Sequence, residues 1–385
     1  MLSILMVGPG HGANIEMIIK SLTIINSFQI TLFANEYKFN KNQYPLLSVI
    51  TYGHTNKFVK RFTMIKKMIN MQKYDILFIL GGTNLYETIP AIFLFKYNFL
   101  IFDIWSESIP KILGNKSKYF KRYFYRLVMN KCNIIICSWE GTYNKLIKNY
   151  PKVKEKTYIL RDGIGDSITQ EQPIKTEYAQ KYLNSLPKDK IIFLNQRSIS
   201  EYNTLELQVK ALKYIVENYP FIGDDILFII WQGNNFDKSL YNRITKYIKD
   251  NSLENIIKII LHPYLPASDI AHIIKSADVI VNLVYHDQLS NSIIETMYFQ
   301  KQGLLSDIEP YRILNEKYDT KFNLTKLNSK NIAEEIIHLY YLCKSGEKDI
   351  DLLDRRKKVV EKYFDLKTNA YEFEKIITDL YIKKC

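Results

Sequence analysis

Short β-branched and aromatic runs recur along this chain, each followed by a stretch of helical periodicity, and that alternation leaves few folds open. In the first half the runs are LSILMVG, QITLFAN, SVITYG, YDILFIL, FLIFDIW, NIIICSW and TYILRDG. Strands that alternate with helices argue for a parallel sheet covered on both faces by crossover helices. The rhythm lapses over the polar, turn-prone GIGDSITQEQPIKTEYAQKYLNSLPKDK and restarts with KIIFLNQ, DILFIIWQG, IIKIILHP, ADVIVNLVY and GLLSD. Two doubly wound, Rossmann-like α/β domains are expected: residues 1–165, a linker at 166–188, and residues 189–360. The tail, 361–385, reads as a helix with Tyr371, Phe373, Ile376, Ile377 and Leu380 on one apolar face. At 385 residues the chain is too long for one ordinary core and suits two.

A composition of 47% hydrophobic and 24% charged residues excludes both disorder and a fibrous repeat. The formal net charge of +13 favours an anionic partner: a phosphorylated ligand, a nucleic acid or an acidic membrane surface. Cys132, Cys137, Cys343 and Cys385 lie at no zinc spacing, and so few thiols in so long a chain call for no disulfide framework. A reducing cytoplasm is expected. MLSILMVGPG is apolar too briefly for a signal peptide and lacks a basic flank, so it reads as a first strand. The longest apolar stretch, AIFLFKYNFLIFDIW, is broken by Lys96, Asn98 and Asp103, against a spanning helix.

Ligands in open α/β sheets sit beyond the carboxyl ends of the strands, so residues that end strands and open helices are the ones to read. GPGHGAN, 8–14, follows the first strand. Gly10 and Gly12 let backbone approach an anion or simply turn the chain, and the spacing is neither a dinucleotide fingerprint nor a Walker A loop. FDIWSESIP, 102–110, sets Asp103 and Glu107 beside Trp105, an aromatic plane suited to a sugar or base. In FLNQRSISEYN, Arg197 follows the first strand of the second domain, where a guanidinium can hold a diphosphate bidentately. YHDQLSNSIIETM, 285–297, spaces Asp287 eight residues before Glu295 across a helix start. Ser292 and Glu295 fit a capping box, and the same stretch can grip a ligand whose hydroxyls donate to both carboxylates.

Together these stretches resemble the family-4 glycosyltransferases, retaining enzymes of the GT-B fold, over nearly the whole chain. The family's Glu, seven residues, Glu is here Asp287 and Glu295; its Arg-Lys pair is Arg197 with Tyr202 in lysine's place. DIWSESIP is similar to a segment of members that build surface polysaccharides, and IIICSWEGTYNKL with TYILRDGIG to the end of their first domain. The resemblance implies transfer of a sugar, with retention, from a nucleotide-diphosphate donor to a hydroxyl acceptor, a saccharide or lipid-linked saccharide. It implies no cofactor and no metal. The implied catalytic residues are Asp103, Arg197 and Asp287. The implied donor-binding set is Gly10, Gly12, Arg197, Tyr202, Tyr264, Asp287, Leu289, Ser290, Asn291, Ser292 and Glu295.

The alternative is a GT-B nucleotide-sugar-binding scaffold with weak or no turnover, because Tyr202 removes a charge and Asp287 is one methylene short. Nucleic-acid binding rests on charge alone and has no motif. KFVKRFTMIKKMINMQK, 57–73, and GNKSKYFKRYFYRLVMNK, 114–131, interleave cations with aromatics. Such helices suit an anionic bilayer or an ordinary solvated face. A cytoplasmic protein, peripheral on the inner face of the cell membrane, is the corresponding expectation.

Overall fold

The structure is a computed structural model and describes all residues except 9–12, 25, 38–43, 54–56, 82–84, 105–118, 162, 202, 234–235, 263–264, 348 and 385. Two compact units are present: Met1–Gly163 with Asp365–Cys385, and Ile164–Phe364. Every apolar run named above becomes a strand.

In the first unit these are β1 (Leu2–Val7), β2 (Phe28–Ala34), β3 (Leu47–Thr51), β4 (Tyr74–Ile79), β5 (Tyr97–Ile104), β6 (Ile134–Cys137) and β7 (Thr157–Ile159). They form one parallel sheet in the order β3-β2-β1-β4-β5-β6-β7. Both faces are apolar because both are covered. Helices Lys57–Ile69, Leu85–Leu94 and Tyr119–Lys131 bury Met64, Ala91 and Val128 against one face. Helix Ala13–Ile24 buries Ile19 and Leu22 against the other, next to the C-terminal helix Leu366–Lys384, whose Phe373 and Ile377 complete that core. The closing helix is also fixed by polar contacts: the Tyr381 hydroxyl donates to Asp75 Oδ1 at 3.1 Å and accepts from Asn98 Nδ2 at 3.2 Å.

The second unit holds β8 (Ile191–Asn195), β9 (Ile226–Gly233), β10 (Ile257–His262), β11 (Val279–Asn282), β12 (Gln302–Ser306) and β13 (Asn323–Thr325). This sheet is also parallel, in the order β10-β9-β8-β11-β12-β13. With three residues, β13 is too short to show a period, and the sequence reading misses it. In both sheets the order reverses once, between β1 and β4 and between β8 and β11, which creates the crevices where such folds bind ligands.

Segment 166–188, expected as a linker, is part of the second unit. Helix Glu177–Asn184 puts Tyr182 edge-on against Trp231 at 4.6 Å, within the core under β8 and β9. Buried Asp269 accepts from the amides of Lys175 and Thr176 and from the Thr176 hydroxyl, at 2.7, 3.0 and 2.6 Å. Polar composition suggested a connection; a buried carboxylate that needs donors supplies the reason it is packed.

Candidate active site

Three neighbouring strands of the second sheet, β8, β11 and β12, send their carboxyl ends to one place. After β8, buried Asn195 turns its side chain back: Oδ1 accepts from the Arg197 amide at 2.7 Å and Nδ2 donates to Gln208 Oε1 at 2.7 Å. Gln208 in turn donates to Thr204 Oγ1 at 3.1 Å, and Thr204 Oγ1 donates to the Leu283 carbonyl at 2.9 Å. The Gln232 side chain accepts from the Ile199 amide, and Asn203 bridges to Val284. The loop that carries Arg197 is thereby tied to the loop after β11 by buried, hydrogen-bonded polar groups, which rigidify a site.

The β11 loop brings Asp287 to Arg197, with Nη2 to Oδ1 at 3.9 Å; their side chains are 25% and 10% exposed. Asp287 Oδ1 also accepts from the Gln288 amide at 3.0 Å, and Oδ2 from the Tyr311 hydroxyl at 2.6 Å. Tyr311 is buried, and desolvation followed by the Asp287 charge pushes its phenol well above the ordinary range. It is therefore a permanent donor to the carboxylate. Ser306, the last residue of β12, accepts from the Val284 amide at 2.6 Å and fixes the base of the same loop.

Helix Asn291–Tyr298 then starts, but not as the capping box predicts. Ser290 is the N-cap, and no side chain caps this end. Buried Asn282 is the reason: its Nδ2 donates to Ser290 Oγ at 2.8 Å and Ser292 Oγ at 3.2 Å, drawing both hydroxyls away from the backbone. A helix start with no side-chain cap suits an anion, which the first-turn amides and the helix dipole both favour. Asn282 Oδ1 is buried without a partner among the described residues, the kind of local conflict that concentrates at functional sites.

Glu295 sits one turn inside this helix and is partly buried. Desolvation alone raises its carboxyl to about 7, since protein surrounds the group without giving it a compensating charge. Leu289 is buried, while Ser290, Asn291 and Ser292 are partly accessible. The structure thus brings together Arg197 and Asp287 directly, and sets Leu289 to Glu295 along the loop and helix that continue from Asp287. Gly10, Gly12, Tyr202 and Tyr264 lie outside the described residues, as do Trp105 and Glu107.

Asp103 belongs to the first unit, at the end of β5. It is 3% exposed, and its Oδ2 accepts from the Gly81 amide at 3.1 Å, so it braces the turn after β4. Sequence reasoning misses Tyr311, Asn282 and Ser306. Tyr311 had a signal: it follows Pro310 in the first turn of a helix that opens two residues after a strand, the same class of position as Arg197 and Asp287. Among the described residues no cluster of three or more His, Cys, Asp or Glu is placed to hold a metal ion.

Residues 177–348, which carry this whole constellation, match the family model described as glycosyl transferases group 1. An uncharacterized glycosyltransferase of Methanocaldococcus jannaschii is 22% identical over 356 residues, 84% of this chain and 82% of that protein. A glycosyltransferase from Rickettsia africae superposes with a TM-score of 0.75 at 14% identity, covering 98% of both chains. Anabaena HepE in complex with UDP and glucose gives 0.75 at 13% identity, covering 98% of this chain and all of that one (100%). The chain therefore has the GT-B fold, two Rossmann-like α/β domains, and its residues 177–348 match the glycosyl transferases group 1 model.

Proposed function

We propose that the protein is a retaining glycosyltransferase that moves a sugar from a nucleotide-diphosphate donor to a hydroxyl of a saccharide or lipid-linked saccharide. The single observation that carries this reading is the convergence of Arg197, Asp287 and an uncapped helix start on the switch point between β8 and β11, inside the matched segment. Anabaena HepE, which shares the fold, is described in complex with UDP and glucose. In this reading Glu295 accepts from the donor ribose, Asp287 and the amides of 288–292 hold the sugar, and Arg197 holds the diphosphate. Gly10, Gly12, Tyr202 and Tyr264 complete the donor set.

Departure of the diphosphate is the hard step, and fixed positive groups aimed at the charge that develops are worth most there. The bond from the anomeric carbon to the diphosphate oxygen breaks, and the acceptor oxygen bonds to the same face. The acceptor proton passes to the departing phosphate oxygen, so no pair of carboxylates of the glycosidase kind is needed. Nor does the reading require a metal. Asp103 serves the acceptor side as a positioning residue, through the turn it braces. The setting is the cytoplasm, and the product a bacterial surface polysaccharide or glycolipid.

A thermal-shift screen over nucleotides and nucleotide sugars, repeated with Glu295→Ala, tests the site. The best donor should shift the parent and fail to shift the variant; an equal shift in both would place the donor elsewhere. Transfer to a saccharide acceptor, with the anomeric configuration of the product read by NMR, then tests retention. Donor binding without hydrolysis or transfer would instead support the scaffold reading that Tyr202 and the shorter Asp287 motivate.

A further inference from the structure

Three helices lie side by side on one face of the first sheet: Lys57–Ile69, Leu85–Leu94 and Tyr119–Lys131. Their inward residues, such as Met64, Met68, Ile92 and Met129, make an ordinary core. Their outward sides do not look like an ordinary surface. Phe62 is 70% exposed, Phe93 67% and Ile69 59%, and Val59, Ile65 and Leu127 are exposed beside them. Exposed cations are interleaved with them, among them Lys66, Lys67, Arg126 and Lys131. The Lys131 ammonium stands 4.5 Å from the Phe93 ring centre, so charge and apolar surface alternate at contact distance between two of the helices.

The three helices put no exposed acid on this face. Residues 52–73 and 111–139 contain no Asp or Glu, and the one carboxylate of helix Leu85–Leu94, Glu87, is buried. A solvated helix face normally mixes both signs. Beside edge strand β3 the face also opens into a cavity of about 530 Å³, bounded by Ile50, Phe62, Thr63, Lys66, Lys67 and Asn70. It is an apolar trough walled in part by Lys66 and Lys67, and the Lys67 ammonium donates to the Thr51 carbonyl at the end of β3.

We propose that this three-helix face docks on an anionic lipid bilayer, with the lysines among the headgroup phosphates and Phe62, Ile69 and Phe93 entering the acyl boundary. Charge complementarity selects that occupant. A second copy of the chain would set one cationic face against another. A nucleic acid would satisfy the lysines and leave Val59, Ile65, Ile69 and Leu127 in water, whereas a bilayer takes up both kinds of group. Among the described residues no helix is long and apolar enough to cross a membrane, so the contact is peripheral. The proposal goes beyond the sugar-transfer reading and does not depend on it.

The test is co-sedimentation of the full chain with vesicles of phosphatidylcholine alone or mixed with phosphatidylglycerol, at low and high salt. The protein should pellet with the mixed vesicles only, and added salt should weaken the binding. Phe62→Ser with Ile69→Ser should weaken partition about tenfold or more. Lys66→Gln with Lys67→Gln should weaken it roughly fivefold for each charge removed. Both variants should keep the parent's thermal midpoint and its shift with the best nucleotide sugar, so that loss of docking and loss of the donor site are read separately. The proposal is overturned if the parent stays in the supernatant, or if the variants pellet like the parent. Tighter binding to a labelled oligonucleotide than to vesicles, or a dimer by light scattering that Phe62→Ser with Ile69→Ser abolishes, would overturn it equally.

Discussion

Asp287 is held from three sides, by Arg197, by the Gln288 amide and by the Tyr311 hydroxyl; the sequence marks Arg197 and Asp287 as residues of one site but pairs Asp287 with none of the three. Arg197 and Asp287 share a site because both follow strand ends that the alternation of runs already marks. Tyr311 is hidden because its role depends on β12 lying beside β11, a lateral order that no local pattern encodes. The capping box failed for a similar reason. Asn282, ten residues before Ser292, competes for the serine hydroxyls and wins because a buried amide must find partners. Tyr311→Phe should lower kcat/KM for donor by tenfold to a hundredfold with the fold intact. That is the range for losing a hydrogen bond to a charged group, about 1.5–3 kcal/mol. Arg197→Ala should cost about a hundredfold or more in kcat, as loss of one group stabilising the departing charge does.

Glu295 adds a pH dependence. Its carboxyl is raised by burial to about 7, so it is largely protonated below that pH and ionised above it. A ribose hydroxyl that donates to the carboxylate binds the ionised form. Nucleotide affinity should therefore rise with pH, by at most about tenfold per unit below 7, and level off above it; calorimetry from pH 6 to 8 checks this. Glu295→Gln should remove the slope. For folding alone the sign is opposite: stability falls as pH rises from the ordinary glutamate range through about 7, so the same variant should melt higher at pH 8.

At the scale of elements, the strands were legible and their joins were not. Each run long enough to fill a covered strand was visible as a run; β13 was missed because three residues have no period. Segment 166–188 looked like a linker because its polar residues are spent on Asp269, which the sequence places nearly a hundred residues away. Buried Arg356, on helix Ile350–Tyr363, is a comparable device. It donates to the carbonyls of Thr320, Lys321 and Lys301 and stacks over Phe322 at 4.0 Å. Burial lowers its pKa to about 10, which leaves it charged at neutral pH. Arg356→Lys should destabilise the second unit by about 1–3 kcal/mol in denaturant melts, because an ammonium cannot span three carbonyls in a plane and leaves buried acceptors unmet.

For the whole molecule, the two-unit plan, the paired sheets and the returning helix were all foreshadowed by the rhythm of the runs and the apolar face of the tail. The boundaries moved because compactness is decided by contacts between distant residues. The first unit is discontinuous, Met1–Gly163 with Asp365–Cys385, whereas the second is one uninterrupted segment. Ending the chain at Phe364 should expose the sheet face around Phe78 and Phe99. Limited proteolysis should then digest the first unit and spare the second.

That discontinuity also sets a schedule. Chains emerge from the ribosome at about 5–20 residues per second, and domains generally fold as units. The unit synthesised first lacks helix Leu366–Lys384 while Ile164–Phe364 is being made, so it waits through the making of the entire second unit. For this protein the order of synthesis and the order of completion are reversed. The second unit is whole first, and the first is completed only by helix Leu366–Lys384.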